Sequence, residues 1–267
     1  MTADPKDLKL AGRLATAAGE LLLDLRRTSG LTGKDLGDAG DFQANVFLLK
    51  ELARERPGDA VLSEESVDDL ARLDADRVWI VDPVDGTREY GTEGHNDWAV
   101  HVALWERGDG AGGGTRPSDS LGLTVGAVAL PALGVTYIND GEPVAPAAGL
   151  AATPRGDVPR VVVSGSRPPA FSADVAAAVG GELLSMGSAG AKAMAVVRGE
   201  ADAYVHAGGQ YEWDSAAPVA VAKSQGLWCS RTDGLALQYN QRDVYLPDLV
   251  ICRPELAEAI LEVTRRG

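Results

Sequence analysis

The chain has 267 residues, 45% hydrophobic and 5% aromatic, with a formal net charge of −14 and a pI of about 4.6. That length allows one large domain or two modest ones, around a core rich in Ala, Val and Leu. So acidic a chain is poorly suited to nonspecific binding of nucleic acid or membrane, and an anionic ligand needs metal ions or local basic groups to reverse the field.

No signal-peptide pattern opens the sequence, and no apolar run is long enough to span a bilayer. The two cysteines, Cys229 and Cys252, lack metal-ligand spacing. They are expected to be reduced, buried thiols in a cytoplasmic setting. His95, His101 and His206 are scattered, the last two in predicted strands, which disfavours a zinc site.

Asp4-Pro5 predicts a helix start, and Leu8, Ala11, Ala15, Ala18, Leu22 and Leu25 trace one helical face as far as Ser29-Gly30. Gly33 to Gly40 reads as a loop. Asp41 then reads as the cap of a second helix bearing Phe42, Val46, Leu49 and Ala53 and ending at Pro57-Gly58. Ala60 to Ser63 predicts a short strand that delivers Glu64 and Glu65, with Glu65 turned away if the segment is extended.

Arg77 to Val81 is an apolar, β-branched run, read as a buried strand ending at Asp82-Pro83, where proline has no N–H for pairing. Asp82 and Asp85, three residues apart at a strand end, can converge on a hard divalent cation. Gly86 permits close backbone approach, and a helix starting near Thr87 offers free N–H groups to a phosphate.

Strands are expected at 98–105, 121–130 and 134–138. A Gly-rich loop is expected at 106–120, and a Pro/Ala/Gly-rich boundary at 139–159. The second half alternates: a strand at 161–163, a helix at 172–179, a strand to Met186, a helix opened by Gly187 to Lys192 and continuing to Val197, and a strand at 202–206. Asp214 reads as the cap of the following helix, strands follow at 226–230 and 248–252, and Pro254 starts the last helix.

Asp82-Pro83-Val84-Asp85-Gly86-Thr87, Glu64-Glu65-Ser66 and Trp213-Asp214-Ser215-Ala216-Ala217 with Gly226 together resemble the signatures of the inositol monophosphatase superfamily. That resemblance implies an αβαβα layered sandwich, an α/β (α+β) fold of the inositol monophosphatase and fructose-1,6-bisphosphatase type. The expected parts are 1–140, carrying most metal ligands, and 141–267. It also implies a lithium-sensitive hydrolase with two Mg²⁺ ions and a third, weaker one near Glu64. Glu64, Asp82 and the Val84 carbonyl would hold one ion, and Asp82, Asp85 and Asp214 another. Asp41, Glu64 and Thr87 would take catalytic roles, positioning the water. Asp38 stands where the family usually has Thr, so Asp41 matches its motif only in part.

Thr87-Arg88-Glu89-Tyr90 and Gly187 to Lys192 resemble the CysQ-type 3′-phosphoadenosine 5′-phosphate (PAP) phosphatases within this superfamily. This implies removal of the 3′-phosphate of PAP to give AMP, clearing a by-product of sulfate assimilation. Gly86, Thr87, Arg88, Arg167, Ser188, Lys192 and Asp214 would bind substrate, and a homodimer is expected. For Lys192 the competing reading is a solvated surface lysine, and for Arg167 a loop arginine before Pro168. The competing functions are a broad inositol monophosphatase or fructose-1,6-bisphosphatase and a non-catalytic divalent-metal-binding module.

Overall fold

The computed structural model describes residues 3–108, 122–142 and 158–266. Most of the predicted 106–120 loop, Leu121, and residues 143–157 of the predicted boundary lie outside the described residues. The elements in chain order begin with α1 (Pro5–Thr28), α2 (Gly33–Glu55), β1 (Ala60–Ser63), β2 (Arg77–Asp85), α3 (Thr87–Gly91), β3 (Ala99–Glu106), β4 (Gly122–Leu130) and β5 (Val135–Ile138). They continue with β6 (Arg160–Ser164), α4 (Ser172–Ala178), β7 (Glu182–Met186), α5 (Ala189–Val197), β8 (Ala203–Ala207), α6 (Glu212–Ser224), β9 (Trp228–Ser230), β10 (Asp248–Cys252) and α7 (Ala257–Thr264).

The strands form two five-stranded sheets, ordered β1-β2-β3-β4-β5 and β7-β6-β8-β10-β9. In the first only β1 and β2 run parallel, and in the second β6 runs parallel to both β7 and β8. Three apolar layers follow from strand alternation. On β2, Trp79 and Val81 turn to α1 and α2, while Val78 and Ile80 turn to the opposite layer, filled by α5 and α6. That middle layer also receives Val162, Tyr204, Leu249 and Ile251 from the second sheet, whose other face packs on α4 and α7. A sheet covered on both faces explains why β2 reads as a continuous apolar run. The result is the expected αβαβα sandwich.

Two expectations about the first half are corrected. α2 starts at Gly33, so Gly33 to Gly40 is helix and Asp41 lies inside α2 rather than capping it. The glycines mark close packing. A Cβ on Gly37 would lie 2.7 Å from Thr87 Cγ2, and one on Gly40 would lie 2.5 Å from Tyr90 Cε1. β2 also continues through Pro83. Its pairing with β3 runs to Asp82↔His101, skips Pro83 and Val84, and resumes at Asp85↔Ala99. Proline sits in the irregularity, where no ladder N–H is required.

Candidate active site

The β2 irregularity re-aims the chain so that both of its aspartates reach one place. Asp82 and Asp85 come from β2 and Asp214 from the first turn of α6, and one oxygen of each lies within 4.8 Å of the others. Asp82 is 1% exposed and Asp85 5%. Asp214 is not the helix cap. It sits three residues inside, and its Oδ2 accepts the backbone N–H of Tyr211 at 2.7 Å. Tyr211 takes the cap position because its backbone is extended there.

Asp85 is held by the start of α5. The N–H groups of Ala189 and Gly190 donate to its two oxygens at 3.0 and 2.6 Å, and the Ser188 hydroxyl donates to Oδ2. Ser188 Oγ also accepts the N–H of Ala191 at 2.9 Å, capping α5. Burial alone would raise Asp85. His101 Nε2 at 3.3 Å, Lys192 and Ser188 reverse the sign, so Asp85 titrates below the usual carboxylate range. The other side of His101 meets the carbonyl of Trp213 through Nδ1 at 3.0 Å, tying β3 to the residue before Asp214.

The remaining carboxyls lack such compensation. Burial and then the charge of Glu64 push Asp82 well above its ordinary range. Asp214 is raised to about 7 by burial and Asp85, and Glu64 to about 8 by burial and Asp214. Glu64 follows β1, where its N–H donates to the Val81 carbonyl at 3.3 Å. Its side chain reaches Asp82, while the residue as a whole stays exposed. Like charges crowded in low dielectric, with oxygen-only donors, are the setting a hard divalent cation neutralises. The residues present therefore fit such an ion.

Glu65 does not turn away. Residues 64–66 form a turn rather than an extended segment, so alternation does not apply, and the charge of Glu65 raises both Asp41 and Glu64. Asn45 of α2 fixes this turn, donating to the Glu65 carbonyl and to Ser66 Oγ, each at 3.2 Å, and accepting from Ser63 at 2.8 Å. Asn45 was not legible as a site residue, because its partners are distant in sequence.

Thr87 opens α3 behind Gly86, whose φ of +88° suits glycine. The Thr87 hydroxyl lies 3.2 Å from Asp41 Oδ1 and 3.1 Å from the Val84 carbonyl, so its one proton is shared between them. Asp41 is raised to about 7, by burial and then by Glu65. The Val84 carbonyl keeps its second lone pair.

Of these groups Asp85, Gly86, Thr87 and Asp214 line a cavity of about 470 Å³, which Arg88, Arg167, Ser188 and Lys192 also line; Asp41, Glu64, Asp82 and Val84 lie outside that lining. Arg88 is exposed and pairs with Glu89. Arg167 is exposed, and a Cβ added to Gly209 would lie 2.5 Å from its Nη1. The surface-lysine reading of Lys192 is overturned, since the residue is 4% exposed. Its Nζ folds back to the carbonyls of Gly187, at 3.1 Å, and Ser188, bracing the turn that carries the Asp85 donors. A lysine opposing the helix dipole thus gains a local role through carbonyls that precede the helix. Burial lowers it to about 8. Asp97 accepts the N–H of Gly187 at 2.6 Å and completes the brace.

Of the remaining groups, His206 is a buried residue of β8, bonded to the Gly208 carbonyl, and His95 pairs with Asp97. Both cysteines are free, Cys252 buried and Cys229 only partly so, a small departure from the expectation. Among the described residues, no helix is long and apolar enough to cross a membrane.

Comparison with known proteins places these features in a family context. The profile of the inositol monophosphatase family matches residues 6–115 and 156–266. A Mycobacterium leprae protein named 3′-phosphoadenosine 5′-phosphate phosphatase is 50% identical over 264 residues, 98% of this chain and 95% of its own length. The Salmonella typhimurium 3′(2′),5′-bisphosphate nucleotidase CysQ is 28% identical over 217 residues, 78% of this chain and 81% of its own. In fold, the chain superimposes on Staphylococcus aureus inositol monophosphatase-II with a TM-score of 0.72 at 19% identity, covering 94% of this chain and 92% of that one.

Proposed function

This chain belongs to the inositol monophosphatase family, and we propose that it is a Mg²⁺-dependent phosphatase that hydrolyses the 3′-phosphate of PAP to give AMP and phosphate. The observation that carries the reading is the convergence of Asp82, Asp85 and Asp214 within 4.8 Å beside a cavity bearing Arg88, Arg167 and Lys192. A bisphosphate on a chain of charge −14 needs such local cations. The 50% identity to a protein named for this activity supports the choice of substrate.

In this reading Asp82, Asp85 and Asp214 hold divalent cations, with Glu64 and the Val84 carbonyl completing the set. Bound there, such ions would supply positive charge to the phosphoryl oxygens. Asp41 and Glu64 would take a proton from the attacking water in their ionised forms, which bound cations favour against the burial that raises both. Thr87 Oγ1, fixed by Asp41 and Val84, orients that water. The N–H groups of Gly86 and Thr87 receive the phosphate, and Arg88 and Arg167 receive the second anionic group. Ser188 and Lys192 serve chiefly to hold Asp85 and its turn, since their polar atoms are already engaged. The first part, 1–140, supplies most of the carboxylates and Arg88, and 141–267 supplies Asp214, Arg167 and Lys192.

The test is Asp85→Asn and Asp214→Asn. Each should abolish PAP hydrolysis at ordinary Mg²⁺ while the circular dichroism spectrum stays native. Full activity in either variant would remove the reading.

A further inference from the structure

The cavity wall formed by the end of β8 and the turn after it holds two polar atoms without a partner. His206 is 3% exposed and Gln210 4%, and both line the cavity. His206 Nε2 meets the Gly208 carbonyl at 2.7 Å, and a carbonyl only accepts, so Nε2 carries the proton. The lone pair of the neutral ring is then on Nδ1, which is buried and unbonded. Burial, partly offset by the Gly208 bond, and then Lys192 and Arg167 hold His206 down at about 4, so the ring is neutral near pH 7. Gln210 Nε2 donates to Tyr204 Oη at 2.8 Å, which leaves Oε1 as a second buried acceptor with no donor.

A buried polar group left unpaired is destabilising. Two such acceptors on one wall of a binding cavity are therefore not neutral filler. They are also the wrong chemistry for phosphate, whose oxygens need donors. Arg167, which lies beside Gly209, and Lys192 are near enough to bear on His206, yet neither donates to Nδ1 or Oε1. What two lone pairs accept is a neutral O–H or N–H. Both atoms are closed off from solvent, so meeting a donor requires the two side chains to turn toward it. The adjoining Gly208 and Gly209, with φ of +85° and +73°, carry no side chain of their own, and Arg167 lies over Gly209.

We propose that His206 Nδ1 and Gln210 Oε1 determine specificity by accepting hydrogen bonds from a neutral donor on the nucleoside part of the substrate. The proposal rests on the PAP reading above. Two groups of that nucleoside offer the required chemistry, the ribose 2′-hydroxyl and the 6-amino group of adenine. A substrate without either leaves both acceptors unpaired, and a site built around buried acceptors rejects such a ligand.

The experiment compares kcat/KM for PAP, 2′-deoxyadenosine 3′,5′-bisphosphate and purine riboside 3′,5′-bisphosphate, which lacks the 6-amino group. Wild type should lose about tenfold or more on one analogue, the cost of one unmade hydrogen bond, and that analogue identifies the donor. His206→Phe and Gln210→Met should each lose most of the preference, falling on PAP while leaving the disfavoured analogue unchanged. Gln210→Met preserves length and keeps the test open if His206→Phe does not fold. Equal turnover of all three compounds by wild type, or full discrimination retained in a folded variant, overturns the proposal and leaves the phosphatase reading standing. Absence of PAP turnover in wild type overturns both.

Discussion

Replacing Ser188 separates two effects that the structure superimposes. Its hydroxyl donates to Asp85 and accepts from Ala191 at 2.9 Å, while its backbone sits at φ +50°, ψ 136°. Losing a hydrogen bond to a charged group costs about 1.5–3 kcal/mol, and losing a helix cap about 1 kcal/mol. Asp85 keeps the N–H groups of Ala189 and Gly190, so the lower end applies, and Ser188→Ala should cost about 2–3 kcal/mol. Ser188→Gly loses the same bonds but relieves a backbone conformation that costs an L-residue about 1–2 kcal/mol. The order of stability should therefore be wild type, then Ser188→Gly, then Ser188→Ala, with the variants about 1 kcal/mol apart, or about 2–4 °C in Tm. Urea unfolding followed by circular dichroism measures the order. Mn²⁺ titration by calorimetry should show both variants about 10–100-fold weaker, the usual cost of removing a group that orients a metal ligand. Ser188→Ala more stable than Ser188→Gly would refute the strain argument. Unchanged Mn²⁺ affinity in both would refute the role assigned to the hydroxyl.

Gly40→Ala places a methyl 2.5 Å from Tyr90 Cε1 and 3.1 Å from Leu22 Cδ2, and overpacking of this kind should cost about 1–3 kcal/mol in urea unfolding; a neutral result would mean that α2 can move away from α3 freely. Arg72 is 2% exposed and ties Asp68 to Asn240, at 2.7 Å, and to the Gln241 carbonyl, at 2.9 Å, so Arg72→Ala should lose about 3–5 kcal/mol. A loss within the range of a surface substitution would show that the network is idle. For His206 the folded value of about 4 lies below the ordinary 6.5, so between those pH values the unfolded chain binds a proton that the folded chain refuses. Stability should then fall as pH drops through that window, by at most about 3 kcal/mol from this group. His206→Phe should show a shallower slope, and an identical slope would contradict the assignment.

The local features of this site are legible in the sequence. The apolar run of β2 and the spacing of Asp82 and Asp85 lie within nine residues of one strand, and the helix of Asp214 follows a short motif. Non-local packing hid the rest. Gly33, Gly37 and Gly40 look like loop residues by propensity, yet Gly37 and Gly40 are buried where Thr87 and Tyr90 leave no room for a Cβ, and tertiary contact overrides propensity. Pro83 reads as a strand end because a bulge cannot be seen without the partner strand. The partners of the aspartates are equally remote. Ser188 and Gly190 hold Asp85 from more than a hundred residues away, and His101 was legible only as a buried strand histidine. Lys192 looked free because its acceptors are backbone carbonyls, which every sequence contains.

The most direct test of the central claim is product analysis by ³¹P NMR. The protein is supplied with Mg²⁺ and, in parallel, PAP, inositol monophosphate and fructose 1,6-bisphosphate. The prediction is that PAP is turned over with the highest kcat/KM and that the nucleotide product is AMP with its 5′-phosphate intact. Preference for inositol monophosphate or fructose 1,6-bisphosphate, or release of the 5′-phosphate from PAP, would contradict it.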